Sequence, residues 1–161
     1  MSEKHPITEP GYRRIKEELK ELKTVERPKA SKAIEVARAH GDLKENAEYH
    51  AAKEHQGMLE ARIKHLEIMT SLAEVIDTSK LSGNRVMFGA TVLIEDVDTG
   101  DDKTVVIVGQ EESDTEKGHI SYKSPIARAL IGRNLDDLVK VNLPSGAKEY
   151  EIREVSYKEI V

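Results

Sequence analysis

Between two long helical patterns lies the run Gly41-Asp42-Leu43-Lys44-Glu45-Asn46-Ala47-Glu48. On both sides of this run, apolar side chains return every three or four residues with charged residues between them, which is the period of an amphipathic helix. Small apolar residues flank the run, and larger ones lie farther away along both patterns. This symmetry predicts an antiparallel helical hairpin whose tip is residues 41–46.

The two arms of the predicted hairpin have about 30 residues each, which makes each arm roughly 45 Å long at the rise of an α-helix. Thr8 is the expected N-cap of the first arm, Pro28 is expected to kink or break it, and Gly41 is the candidate C-cap. The predicted seam residues of the first arm are Tyr12, Ile15, Leu19, Leu22, Val25, Ala30, Ala33, Ile34 and Ala37. Those of the second arm are Ala47, Ala51, Ala52, Leu59, Ile63, Leu66, Met69, Ala73 and Ile76.

After residue 80 the pattern changes to short alternating or β-branched segments, which are typical of strands. Ser124 and Pro125 open one short helical segment that Gly132 closes. The predicted strands are residues 88–96, 104–108, 119–122, 139–143 and 150–155. The sequence therefore predicts an α+β fold with two domains: a helical hairpin at 1–80, a linker at 81–84, and an antiparallel-sheet domain with one short helix at 85–161.

Composition narrows the class of protein. The chain has 161 residues, 34% of them charged, a formal net charge of −5 and no cysteine. Disulfides and thiolate metal sites are thereby excluded, and the acidic balance argues against unspecific binding of nucleic acid. No apolar run approaches the roughly 18 residues needed to span a membrane, and the N-terminus does not resemble a signal peptide. We expect a cytoplasmic protein that makes no use of a membrane.

Asp42 and Glu45 are the candidate chemical groups at the tip, and two interpretations of them stay open. Asp-x-x-Glu after a glycine is a capping arrangement, with Asp42 as N-cap and Glu45 at the third helical position. The same carboxylates could serve as oxygen ligands for Mg²⁺. Two carboxylates cannot complete an octahedral shell, so such a pair at an exposed tip would need a partner that supplies the other ligands.

Several segments together resemble the GreA/GreB family of bacterial transcription elongation factors, and the tip resembles the GreA version of its motif. These segments cover the chain in order: Gly11-Tyr12, Glu17-Glu18-Leu19, residues 39–54, residues 88–92 and residues 124–132. The resemblance implies an N-terminal coiled coil and a C-terminal domain that is FKBP-like in fold, which says nothing about isomerase activity.

The resemblance also implies a function. Such factors bind RNA polymerase through its secondary channel and stimulate its intrinsic cleavage of backtracked nascent RNA. Asp42 and Glu45 match the family's tip acids, which help to hold the second catalytic Mg²⁺ and to activate a water. The metal would be shared with the polymerase, not held by this chain alone, and the chain would act in trans without being an enzyme itself.

Further site residues carry weaker expectations. Lys53 matches a family position close to the RNA 3′ end, and Tyr49 could stack on a base, although packing within the hairpin is the simpler interpretation of Tyr49. The polymerase-docking candidates in the second domain are Ser124, Pro125, Ile126 and Arg128. The expected partners are RNA polymerase and the RNA and DNA of the elongation complex, with the factor acting as a monomer.

Two competing hypotheses remain. A polymerase-binding inhibitor or a coiled-coil adaptor could share the architecture without stimulating cleavage, with Asp42 and Glu45 acting only as helix caps. An autonomous Mg²⁺ nuclease is a third interpretation, against which the incomplete and exposed ligand set argues.

Overall fold

The computed structural model describes residues 3–41 and 45–160. The described chain forms two compact units, of which one is Arg13–Leu72 and the other joins the residues up to Tyr12 with those from Ala73 onward. These limits differ from the predicted domains 1–80 and 85–161. The reason is a pair of short parallel strands, β1 (His5–Thr8) and β2 (Ala73–Ile76), which lie at the two ends of the helical region and belong to the second unit.

The helical unit is the predicted antiparallel hairpin. α1 (Glu9–Glu21) continues through a π-helical turn (Leu22–Glu26) into α2 (Arg27–Arg38), and α3 (Ala47–Leu72) returns alongside them. Thr8 caps α1 as predicted, because its hydroxyl accepts a hydrogen bond from the N–H of Gly11 at 3.2 Å.

The hairpin differs from the predicted one in its backbone near Pro28 and in several residues of its seam. The backbone remains helical through Pro28, which lies in the first turn of α2, so the chain does not break there. A proline cannot donate the usual helical hydrogen bond, and the wider turn directly before it is closed by the bond from the N–H of Arg27 to the carbonyl of Leu22. Among the predicted seam residues of the two arms, Val25, Ala33, Ala47 and Ala51 are exposed rather than buried in the seam.

Apolar packing and ion pairs both join the arms. Ile15, Leu59, Ile63 and Leu66 are buried along the seam as predicted, and Ala30, Ile34 and Ala37 are buried on α2. On the solvated sides, cross-arm ion pairs join Glu18 with Arg62, Lys23 with Glu67, and Arg27 with Glu60.

The second arm ends earlier than predicted. Ala73 and Ile76 belong to β2 and not to the helical seam, since α3 ends at Leu72. The β-branched Val75 and Ile76 at this point favour extended backbone. β2 and β1 are paired from His5 with Ala73 to Thr8 with Ile76.

The second unit carries a five-stranded sheet in which all five predicted strands are present. They are β3 (Thr91–Asp96), β4 (Asp102–Val108), β5 (His119–Ser121), β6 (Leu138–Leu143) and β7 (Gly146–Ser156), in the order β5-β4-β3-β7-β6. The sheet is mixed rather than wholly antiparallel, because β5 runs parallel to β4. The connection between them contains two 3₁₀ turns, at Gln110–Glu112 and Thr115–Lys117, which let the chain return before it pairs in parallel.

One short helix, α4 (Pro125–Leu130), packs on the sheet as predicted, with Ala127 and Leu130 fully buried in its core. The α+β architecture of a helical hairpin and a sheet domain with one short helix is therefore confirmed. Among residues 3–41 and 45–160, no helix has the length and apolar character needed to cross a membrane.

Candidate functional site

The tip of the hairpin lies between the end of α2 and the start of α3. α2 ends at Arg38 with Ala39 as its C-cap, so the helix stops before Gly41, which was the predicted cap. Gly41 itself has a φ of 139°, a backbone conformation that favours glycine. Asp42, one of the two predicted acids, lies outside the described residues.

Asn46 is the N-cap of α3. Its side-chain oxygen accepts a hydrogen bond from the N–H of Tyr49 at 3.0 Å, and its carbonyl accepts the first intrahelical bond, from the N–H of His50 at 3.1 Å. Glu45 thus directly precedes the cap and is not at the third helical position. The interpretation of Glu45 as part of a capping arrangement is therefore wrong. That interpretation required Asp42 to be the N-cap of α3, and the N-cap is Asn46.

Glu45 is exposed and lines an open groove of about 410 Å³ together with His40, Asn46, Ala47 and Glu48. The imidazole Nδ1 of His40 lies 3.4 Å from a carboxylate oxygen of Glu48. A solvated carboxylate is a hard oxygen ligand of the kind Mg²⁺ prefers. Within the described ranges no group of three or more histidine or acidic side chains could hold a metal ion. Mg²⁺ takes about six oxygen ligands, so the carboxylate of Glu45 alone could supply only part of its coordination shell.

Tyr49 and Lys53 lie on α3, three and seven residues after the cap. The ring of Tyr49 is half-buried, with the guanidinium of Arg38 at 5.9 Å from its centroid and the ring of His50 at 5.7 Å. This packing matches the simpler interpretation of Tyr49. Lys53 is exposed one turn farther along the same face. A contact of either residue with nucleic acid stays a prediction.

The docking candidates of the second unit surround the start of α4. Ser124 is the N-cap, since its hydroxyl accepts a hydrogen bond from the N–H of Ala127 at 3.3 Å. Pro125 and Arg128 are exposed, whereas Ile126 is half-buried against the core of the sheet. Pro125 and Arg128 are thus available to a partner, and Ser124 and Ile126 have clear structural roles.

Sequence reasoning did not identify Asn46 as a site residue. Besides capping α3, Asn46 donates from Nδ2 to the carbonyl of Ala37 on α2 at 2.6 Å. Asparagine is among the preferred N-cap residues, so an asparagine before an alanine-rich helical pattern was a usable signal for the cap. The bond to Ala37 depends on how the two arms meet and has no signature in the local sequence.

Two family models match the chain. Residues 5–75 match the model described as transcription elongation factor, N-terminal, and residues 81–157 match the model described as transcription elongation factor, GreA/GreB, C-terminal. Together they cover the hairpin and the sheet.

The chain is similar over nearly its full length to proteins named transcription elongation factor GreA. It is 55% identical to one from Chelativorans sp. (strain BNC1), with 96% of this chain and 98% of the relative covered. It is 52% identical to one from Rickettsia prowazekii, with 99% of each chain covered. Among solved structures, the GreA factor homolog 1 of Thermus thermophilus aligns with 26% identity over 94% of this chain and 98% of the other, at a TM-score of 0.44.

Proposed function

Because this chain belongs to the GreA/GreB family of transcription elongation factors, we propose that it stimulates the cleavage of backtracked RNA by placing its hairpin tip inside RNA polymerase. The chain is a transcription elongation factor that acts with RNA polymerase. Entry through the secondary channel, the chemistry at the tip and the contacts with RNA and DNA are the proposed part.

The observation that carries the proposal is the exposed carboxylate of Glu45 at the far end of a two-helix hairpin, directly before the cap of α3. A carboxylate with this exposure is a poor active site by itself, because solvent surrounds it and few other ligands are near. A narrow hairpin can carry such a group into a deep channel, where the polymerase would supply the remaining ligands and the substrate.

In this mechanism Glu45, with Asp42, offers carboxylate oxygens to the polymerase's Mg²⁺. When bound, Mg²⁺ lowers the pKa of a coordinated water and stabilises negative charge on the reacting phosphate. The backbone of Glu45 directly precedes the capped first turn of α3, which would limit where its carboxylate can reach. Lys53 lies seven residues after the cap, roughly 10 Å along the helix axis, and its charge would attract an RNA phosphate.

The same proposal assigns the docking of the second unit on the polymerase to the exposed Pro125 and Arg128, with Ser124 and Ile126 fixing the shape of that surface. The factor would act as a monomer and in the cytoplasm. It would not be an enzyme itself, since the polymerase would provide the catalytic centre, the RNA and the DNA.

The substitution Glu45→Gln tests the chemistry of the tip. It removes the charge while keeping the size of the side chain, so we expect the cleavage rate of backtracked complexes at saturating factor to fall roughly 10- to 100-fold. Binding to polymerase should be unchanged. The matched control is Glu35→Gln on α2, an exposed glutamate that pairs with Lys32 one turn away at 3.8 Å, and it should cleave like the wild type.

Three outcomes distinguish the hypotheses. A Glu45→Gln variant that stimulates cleavage normally would refute the proposed chemistry. A wild-type protein that binds polymerase without stimulating cleavage would be the inhibitor or adaptor. RNA cleavage by the purified chain without polymerase would show an autonomous nuclease.

A further inference from the structure

The end of the hairpin is joined by polar contacts between its arms. The last buried seam residue of α2 is Ala37, whereas the first buried residue of α3 is Leu59, far from the tip. Near the tip, Asn46 is hydrogen-bonded to Ala37, Arg38 lies over the ring of Tyr49, and His40 lies next to Glu48. Among the described residues near the tip, these polar contacts therefore link α2 and the segment after it to the start of α3.

Asn46 makes the most specific of these contacts. Its oxygen faces the N–H of Tyr49 at 3.0 Å, and its nitrogen faces the carbonyl of Ala37 at 2.6 Å. A donor on one side and an acceptor on the other fix the orientation of the amide, since reversing it would place oxygen against oxygen and N–H against N–H. One side chain thus closes the first turn of α3 and ties it to the last turn of α2.

Capping alone does not require an amide. Aspartate, serine and threonine also accept the hydrogen bond from the third helical N–H. Only a side chain with both an acceptor and a donor at this reach can also bind the Ala37 carbonyl. Aspartate would place a carboxylate oxygen against that carbonyl, and serine has a single short hydroxyl.

We infer that Asn46 is a positioning residue for Glu45, and that its bond to Ala37 fixes where the neighbouring carboxylate is presented. The inference rests on the proposed function of Glu45. Asn46 itself touches no substrate in this account and acts by holding the point from which Glu45 projects. A carboxylate displaced from its place among metal ligands costs activity even when its charge is kept.

The test compares Asn46→Asp and Asn46→Ser with the wild type, each as the full chain. Both keep a cap acceptor, and both lose the donor to Ala37. We expect similar melting temperatures and a lower ¹⁵N order parameter at the Glu45 amide in the free protein. With polymerase, we expect a roughly 10-fold lower maximal cleavage rate and a higher Mg²⁺ requirement, at an unchanged half-saturating factor concentration. The matched control is Asn142→Ser, the same change at an exposed position of β6, and it should match the wild type in all five measurements.

Glu45→Gln in the same experiment separates the two hypotheses. If Glu45→Gln retains full cleavage, the proposed chemistry of the tip fails. If Glu45→Gln loses cleavage while both Asn46 variants keep the wild-type rate, Mg²⁺ requirement and order parameter, only the positioning role is refuted. A higher half-saturating factor concentration with an unchanged maximal rate would also overturn it, because Asn46 would then serve binding.

Discussion

At the residue scale, the carboxyl of Glu112 is 6% exposed and is held by several hydrogen bonds. It accepts hydrogen bonds from the N–H of Gly109 at 2.7 Å, from the N–H of Thr8 at 3.1 Å, and from the hydroxyl of Thr8. The Thr8 hydroxyl in turn accepts from the N–H of Gly11. A buried carboxylate is costly unless it is hydrogen-bonded, so these donors and Glu112 depend on one another and fix the first turn of α1.

The position of the Glu112 carboxyl predicts how a substitution of Gly11 affects stability. A Cβ at this position would overlap the carboxyl of Glu112. Alanine in place of helical glycine usually stabilises by about 1 kcal/mol. Here overpacking, which costs about 1–3 kcal/mol, opposes the gain, so we expect Gly11→Ala to lower the free energy of unfolding. Urea denaturation followed by circular dichroism measures the change.

The control for this prediction is Gly57→Ala on α3. A Cβ at Gly57 would meet nothing within 4 Å, so only the helix propensity changes and the protein should gain about 1 kcal/mol. Replacing glycine by alanine is thus expected to lower the free energy of unfolding at one helical position and to raise it at the other. If Gly11→Ala is as stabilising as Gly57→Ala, the Glu112 contact does not constrain the first turn.

At the element scale, the arms of the hairpin are joined by bidentate ion pairs as well as by the apolar seam. Arg27 donates from Nε and a terminal nitrogen to the two carboxylate oxygens of Glu60, at 2.8 and 3.0 Å. The hydrogen bond from Arg27 lowers the pKa of Glu60 below its ordinary 4.5, and the same bond raises the pKa of Arg27. Both groups are exposed, so salt should screen their attraction.

The direction of the pKa shift of Glu60 fixes how the contribution of the pair depends on pH. A carboxyl whose pKa is lower in the folded state stabilises the fold above its unfolded pKa, and this stabilisation is lost as the pH falls through the folded pKa. We therefore expect Glu60→Gln to lower the melting temperature slightly at pH 7. The difference from the wild type should shrink as the pH falls below about 4.5, and also in 1 M NaCl.

Glu54→Gln is the control, because Glu54 lies on the same helix, is exposed, and forms no ion pair within the described chain. Its melting temperature should stay near that of the wild type at every pH. A Glu60→Gln difference that persists unchanged at pH 3 would show that the pair contributes through packing and not through charge.

The elements also show what the sequence could and could not predict. The hairpin, the five strands and α4 follow from local periodicity and capping residues, such as Thr8 and Ser124, and these are properties of neighbouring residues. The π turn before Pro28 and the parallel partner of β4 depend on how separated segments meet. The same holds for the tip, where the exposed acid was predictable but the bond from Asn46 to Ala37 was not.

At the scale of the whole molecule, the unit that carries the sheet is discontinuous in sequence, and the hairpin is inserted into it. β1 precedes the insertion and β2 follows it, and the pair brings Ile7 and Thr8 into the unit with 5% and 0% exposure. The linker predicted at 81–84 is irregular, but a fragment cut there would lose both strands and two of the donors to Glu112. Its five-stranded sheet would be complete, but the N–H of Gly109 would be the one donor left of the three that bind Glu112 in the described chain.

Two fragments test this dependence. One is residues 81–161. The other joins residues 3–12 to 73–161 through a glycine–serine linker of about 12 residues, which is long enough for a parallel connection. Burying Ile7 contributes about 1.5–3 kcal/mol. Since each kcal/mol shifts the melting temperature of a domain this size by about 4–8 °C, we expect the joined fragment to melt at least about 6 °C higher.

Thr8→Ala in the joined fragment resolves the source of that difference. The substitution removes the hydroxyl that donates to Glu112 but keeps the N–H and the strand pair, so its melting temperature should lie between those of the two fragments. If its melting temperature equals that of the unsubstituted joined fragment, the higher melting temperature of the joined fragment comes from strand pairing and Ile7 alone. Equal melting of the joined fragment and residues 81–161 would instead mean that the sheet is stable without the N-terminal strand, and that the hairpin is an appended element and not an inserted one.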